Sequence, residues 1–221
     1  MILPTPTTYA LLGLLGIQSW SAYDLVAQSR RGLHFWPRSE AHLYAELKRL
    51  VKLGYADAER ITVGRRISTH YTITTAGRDA LAAWLRTPPS PPVLECEALL
   101  RVLFADQGSV EDLLATLRAT HEQATAMLGN SLEMLREVLT TGGLFPERRH
   151  LGVPLADFYT SYLRLLIEWS ERAAAEVATW SSTRDHRLTP AGRAALLEML
   201  EGIEDVRRTG WTDPAPRAAS L

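Results

Sequence analysis

The sequence predicts a mainly helical chain that carries one small β-hairpin, and three observations lead there. Residues 39–54 hold a capped apolar stripe at helical spacing. Two short β-prone runs follow, Ala56 to Val63 and Arg66 to Thr74, and they meet at Gly64-Arg65. Beyond Pro88, Pro89, Pro91 and Pro92 every apolar pattern is helical and includes two long seams.

Taken in order, Thr5 to Gly16 reads as a first helix, with a Thr cap and Pro6 at the first helical position. Tyr9, Leu12 and Leu15 leave it apolar nearly all round, so it should be buried. Ser19 to Ser29 reads as a second helix capped by Ser21 or Ser19, with Tyr23, Leu25 and Val26 facing inward. Phe35 and Trp36 follow in a turn and are read as core plugs, because a small helical module needs large apolar mass.

Ser39 then caps a third helix and Gly54 closes it. Leu43, Leu47 and Leu50 form its inner stripe. Ala41, Ala45, Lys48 and Lys52 fall opposite, flanked by Arg38, His42 and Arg49, while Glu40 and Glu46 lie nearer the buried side. Small residues between basic ones suit a helix that enters a DNA major groove and reaches phosphates. A solvated helix face is the plain alternative, and the hairpin weighs against it. Gly64 permits a tight reversal that sets Arg65 and Arg66 at the tip, beside the basic helix. A basic helix followed by a basic hairpin is the arrangement of a winged helix-turn-helix.

Thr74 caps a helix running to about Arg86, and the prolines after it mark a hinge. Residues 1–87 form the expected DNA-binding domain, residues 93–182 a helical domain, and residues 183–221 an extra helix and a flexible tail. In the helical domain Glu95 to Ala105 reads as a short helix. Ser109 caps a long one to about Thr140, with a seam of Leu114, Leu117, His121, Ala124, Leu128, Ser131, Leu135 and Val138. After Gly142-Gly143, a loop containing Arg148, Arg149 and His150 leads to Pro154. A second long helix, about Leu155 to Trp180, has its seam at Leu155, Phe158, Tyr162, Leu166, Trp169, Ala173, Val177 and Trp180. Two such helices point to an antiparallel pair used for dimerisation; a self-contained hairpin is the other reading. Thr189 to Leu196 repeats Thr74 to Leu81 at six of eight positions, but without a preceding recognition helix it reads as a recurring capped helix start.

Charge sharpens the division. Residues 1–87 carry a net +5 and residues 88–221 a net −6, so only the first half is suited to a polyanion. The N-terminus lacks the basic region of a signal peptide, and no apolar run approaches the roughly 20 residues needed to span a bilayer. Cys96 is the single cysteine, which excludes an internal disulfide and a Cys-cluster metal site and fits a cytoplasmic location. No cofactor or metal is expected. Nor is an enzyme: there is no GxSxG, no HExxH, no phosphate-cradling glycine loop and no Cys/His pair at a useful spacing.

The phrases TTYALLGLLG, SAYDL, HLYAELKRLVKLGY and YTITTAGRDAL, in this order over about residues 5–86, resemble the PadR family of transcriptional regulators. The second half resembles the longer helical domain of the PadR subfamily first described in virulence activators. The chain departs from the family pattern at Ala22, where Gly is common, and in its tail beyond about Ser182. The resemblance implies that Tyr44 contacts the DNA backbone, that Ser39 to His42 enters the groove, and that Arg65 with Arg66 forms the wing. It also implies a homodimer on a palindromic duplex with exchanged C-terminal helices, most often a repressor released by a small aromatic or drug-like effector.

The expected DNA contacts are therefore Arg38, Ser39, Ala41, His42, Tyr44, Lys48, Arg49, Lys52, Arg65 and Arg66. Candidate effector contacts are His121, Tyr159, Tyr162 and Trp169, although aromatics at helical spacing also serve as core. An activator, a ligand-independent regulator and a winged-helix module that binds protein are the alternatives.

Overall fold

A computed structural model of the chain describes residues 3–33, 35–63, 66–185 and 187–209, without the side chains of Val63 and Arg66. Contacts divide the chain into two units, residues 1–93 and 94–221.

In the first unit α1 spans Pro6–Ile17. Thr5 caps it in a reciprocal box: its hydroxyl accepts from the Thr8 amide at 3.3 Å, and the Thr8 hydroxyl accepts from the Thr5 amide at 2.8 Å. The two-residue strand β1, Trp20–Ser21, precedes α2, Ala22–Gly32. Helix α3 covers Glu40–Lys52, β2 Ala56–Val63, β3 Arg66–Ile73 and α4 Thr75–Leu85. The hairpin thus becomes a three-stranded antiparallel sheet in the order β1-β3-β2, with Trp20 opposite Tyr71 and Val63 opposite Arg66.

Leu11, Leu12, Leu15, Leu25, Leu47 and Leu50 are fully or almost fully buried and lock α1, α2 and α3 together. Each such side chain contributes about 1.5–3 kcal/mol relative to exposure, so the orientation of α3 is set by its leucine stripe. Gly54, with φ of +70°, turns the chain out of α3 into β2. Tyr9 stacks on Trp84 with centroids 4.8 Å apart and planes 7° from parallel, joining α4 to α1.

Three expectations for this unit are corrected. The second helix starts at Ala22 because Trp20 and Ser21 are taken by the sheet, and Ser21 is its cap. Tyr23 faces out, 73% exposed, since the buried arc of α2 runs through Leu25, Val26 and Ser29. Phe35 is exposed, whereas Trp36 is half-buried with its indole N–H donating to Thr7 Oγ1 at 3.2 Å.

In the second unit α5 spans Glu97–Leu103, and a 3-10 turn, Ala105–Gln107, leads to α6, Val110–Thr141. A capping box of Ser109 and Asp112 starts α6, and these hydrogen bonds hold the Asp112 carboxyl below its ordinary pKa. A second 3-10 turn, Pro146–Arg148, runs directly into α7, Arg149–Val177. The loop expected to reach Pro154 is therefore much shorter, and Pro154 sits inside the helix. Its missing N–H leaves the His150 carbonyl unmatched, which an exposed residue tolerates because water can serve it.

Helices α6 and α7 pack along most of their length. The α6 seam is as expected, with Leu117, Ala124 and Ser131 buried, and Leu113 joins it. The α7 seam is displaced in phase over its first half and as expected from Trp169 to Trp180. It buries Tyr159, Leu163, Ser170 and Val177, while Phe158 is 70% exposed. Leu113, Leu117 and Val177 form the centre of this unit, surrounded by Trp169, Ala173, Ala174 and Trp180. Thr183 and Arg184 return to the body: Thr183 Oγ1 donates to Gly108 O and Arg184 Nε to Asp106 O, both at 3.0 Å. Helix α8, Pro190–Thr209, then begins at a cap where Thr189 Oγ1 accepts from the Gly192 amide at 2.9 Å. No α8 residue is buried, and the tail expected to be flexible from Gly210 on lies outside the described residues.

Candidate nucleic-acid interface

The α3 face emerges from the packing of its opposite side. With Leu43, Leu47 and Leu50 buried, Ala41, His42, Tyr44, Ala45, Lys48 and Lys52 are exposed, together with Arg38 and Ser39 just before the helix. Ser39 Oγ accepts from the His42 amide at 3.3 Å, a cap contributing about 1 kcal/mol that fixes where the helix starts. The small side chains of Ala41 and Ala45 let this surface approach another body closely. Lys48 and Lys52, one helical turn apart, supply long cations at its far end.

Two charged residues depart from the sequence picture. Arg49 is half-buried and turned back: its guanidinium donates to the Leu3 carbonyl and lies 3.8 Å from Glu46 Oε2. Glu40 is exposed, not near the buried side, and pairs with Arg30 of α2. Glu46 is buried, only 3% exposed, and forms the hub of a network that sequence reasoning missed. Its Oε1 accepts from the Thr8 hydroxyl and, at 3.4 Å, from the Thr5 hydroxyl. The carboxylate thus ties α3 to the capped start of α1 and engages Arg49 from within.

Arg38 takes a defined position as well. Its guanidinium carbon lies 4.5 Å from the centroid of the Trp36 ring, a cation–π contact, and its Nη1 donates to the Pro37 carbonyl at 2.7 Å. A cleft of about 220 Å³ opens here, lined by Ser29, Arg30, Leu33, Trp36, Pro37 and Leu43.

Strands β2 and β3 extend as a two-stranded ribbon beyond β1, with Arg60 and Thr62 exposed on β2. Of the expected wing cations, Arg66 has its backbone paired with Val63, and Arg65 lies outside the described residues.

None of the cavities described among these residues takes in the four candidate effector contacts. His121 Nε2 lies 3.0 Å from Glu171 Oε1 and clasps α6 to α7. Trp169 packs against the central cluster. Tyr159 is buried and Tyr162 half-buried. Burial raises the pKa of both hydroxyls, with a lesser contribution from Tyr162 on Tyr159 and from Cys96 on Tyr162. A groove of about 640 Å³ lies instead between α5 and the start of α6, lined by Leu100, Arg101, Phe104, Leu113 and Thr116 among others. No described helix is long and apolar enough to cross a membrane. Among the described residues no three His, Cys, Asp or Glu side chains gather as a metal site.

The model of the transcriptional regulator PadR-like family matches residues 11–83. Curated proteins give no match to the chain. Among solved structures, Bacillus subtilis PadR in complex with operator DNA is similar with a TM-score of 0.64 and 23% identity, covering 77% of this chain and 98% of that one. The Streptococcus mutans protein smu.1604c has a TM-score of 0.67 at 21% identity, covering 76% and 98%. The Vibrio cholerae virulence activator AphA has a TM-score of 0.61 at 19% identity, covering 78% and 98%. At these identities the likeness to the solved structures is one of fold. Each of them is matched over nearly its whole length, and roughly a quarter of this chain extends beyond the match.

Proposed function

We propose that this chain, whose residues 11–83 match the PadR-like family of transcriptional regulators, acts as a homodimeric repressor on a palindromic operator. In this reading α3 enters the major groove, Tyr44, Lys48 and Lys52 contact phosphates, and Arg65 and Arg66 of the wing grip the adjacent backbone. The observation that carries it is the exposed α3 face, where small residues alternate with cations while every leucine points inward. The fold likeness to Bacillus subtilis PadR, a protein solved in complex with operator DNA, supports the DNA-binding reading. Arg49 is assigned a structural part, since Glu46 and Leu3 already hold it. A small aromatic acid is the proposed effector class, supported by the complex of Bacillus subtilis PadR with p-coumaric acid at a TM-score of 0.60 and 24% identity. The fold match to a virulence activator favours activation as the second reading.

One titration tests these assignments. Duplexes from the region upstream of the chain's own gene are bound by the wild type, by Lys48→Ala/Lys52→Ala and by Arg65→Ala/Arg66→Ala. Each double variant should bind more weakly, with the slope of log affinity against log salt reduced by up to about 3.6, since two cations are lost from each of two subunits at roughly 0.9 for each phosphate no longer neutralised. Unchanged binding to every duplex removes the assigned face or wing. p-Coumaric acid added to the wild-type complex should release the DNA; continued binding at saturation removes that effector class, and stimulation of transcription by the bound protein replaces repressor with activator.

The dimer reading rests on apolar residues left in water by the displaced α7 seam. Phe158 and Leu165, 70% and 55% exposed, lie on the outer side of α7, and Leu139 and Leu144 are also exposed. Patches of this kind mark interaction surfaces. Phe158→Asp/Leu165→Asp should elute as a monomer with unchanged helical circular dichroism. A dimer that persists at micromolar concentration moves the interface off this face.

A further inference from the structure

We propose that Trp36 is a positioning residue for Arg38, and that Arg38 held in this way reads a guanine of the operator. The inference rests on the DNA-binding reading above and goes further in naming the base and the residue that presents the reader.

Trp36 is anchored on its buried edge. Its indole N–H donates to Thr7 Oγ1, a buried hydroxyl of α1, and its amide donates to the Leu33 carbonyl at 2.7 Å. The ring therefore offers one fixed face, and the Arg38 guanidinium lies over it. The bond from Nη1 to the Pro37 carbonyl removes the remaining rotation of the fork. Four contacts thus define where a planar, always-charged donor group sits, two holding Trp36 and two holding Arg38, one residue before the cap of α3.

The position matters because residues at the start of a recognition helix are those that reach base edges. The rigidity matters because base reading and phosphate contact ask for different things. A phosphate requires only a cation within reach, and a mobile lysine serves. Guanine O6 and N7 accept two parallel hydrogen bonds, and a fork already immobilised on an aromatic face loses less freedom in making them. The second cation of this corner, Arg30, is engaged by Glu40. That pair occupies the Glu40 carboxylate, so the exposed Arg38 fork keeps donors for a base.

The test is selection from a random-duplex library by the full-length wild type, followed by affinity measurements on the selected site and on every single-base change of it. The expected result is one guanine position in each half-site whose replacement costs about tenfold or more, the range for a bidentate pair. Arg38→Lys should abolish that preference while leaving the other positions and the salt slope unchanged. Trp36→Leu should reduce the preference at the same position alone, Trp36→Phe should restore much of it, and Trp36→Leu should have no further effect in an Arg38→Ala background. Thermal melting of each variant separates folding from reading. If Arg38→Lys retains the preference while Arg38→Ala weakens all duplexes alike, Arg38 is a phosphate contact and the inference is overturned. If Trp36→Leu lowers affinity at every position equally, Trp36 is only structural. If the wild type selects no duplex, the DNA-binding reading itself fails, an outcome distinct from both.

Discussion

Glu46→Ala should destabilise the chain by about 3 kcal/mol, the low end of the cost of removing one partner from a buried charged network. The carboxylate is almost wholly enclosed, yet it stabilises three groups at once: the Thr8 and Thr5 hydroxyls at the start of α1, and the Arg49 guanidinium on its own helix. Hydrogen bonds to a charged acceptor contribute more than neutral ones, about 1.5–3 kcal/mol each. Two facts hold the total below the sum. Thr8 keeps its bond from the Thr5 amide, and Arg49 is partly exposed and retains the Leu3 carbonyl. Glu46→Gln keeps an acceptor for Thr8 and should lose about half as much. Urea unfolding measures both, read as a lower midpoint at unchanged slope. A double-mutant cycle with Thr8→Val should give a coupling above about 1 kcal/mol. A loss for Glu46→Ala under about 1 kcal/mol would show that α3 is held by its leucines alone. DNA affinity supplies a second readout, because the network sets the angle at which the basic face leaves α1.

The parts of the fold visible in the sequence are those governed by local chemistry. Thr5 with Pro6, Ser39 with Gly54, and Ser109 before α6 mark helix ends through groups a few residues apart, and the structure places the caps there. What escaped is set between distant segments. Trp20 and Ser21 have no strand periodicity of their own and become β1 only because β3 lies alongside. Phe158 and Tyr159 belong to a run, Leu155 to Ile167, that is apolar on more than one face, so spacing cannot choose its phase. Glu46 reads as lying near the buried side of α3, but its partner, the Thr8 hydroxyl, comes from another helix. One signal was present: Glu46 falls inside the arc of Leu43, Leu47 and Leu50, where a carboxylate needs a partner. The exposed basic face of α3 was legible because basic side chains between alanines need no partner within the fold. Arg49, with the same charge and nearly the same position, was not, because its direction depends on Glu46. The Trp36–Arg38 stack was hidden for a related reason, since the turn that brings ring and guanidinium together has no period to read.

Gly77→Ala should cost about 1–3 kcal/mol, against the sign that helix propensity gives. Alanine in place of glycine inside a helix ordinarily stabilises it by up to about 1 kcal/mol. In α4 the added Cβ would lie 2.2 Å from the Tyr55 carbonyl oxygen and 3.0 Å from Ile73 Cγ1. The carbonyl cannot withdraw cheaply, because it accepts from the Thr74 amide at 3.1 Å and so joins the exit of α3 to the start of α4. Moving it would strain the turn that sets β2 against β3, and the wing with it. The repeated phrase near the C-terminus supplies the control. At Gly192 the corresponding Cβ would meet only side-chain atoms, Thr189 Oγ1 at 3.1 Å and Leu188 Cδ1 at 3.2 Å, and the leucine is exposed and free to rotate. Gly192→Ala should therefore change stability by less than about 1 kcal/mol. Two nearly identical octapeptides then give opposite answers to one substitution, and thermal melting of the two variants in parallel reads the difference. Equal melting temperatures would mean that the Tyr55 carbonyl yields to a methyl group, and the close approach of α4 to the start of β2 would lose its structural weight.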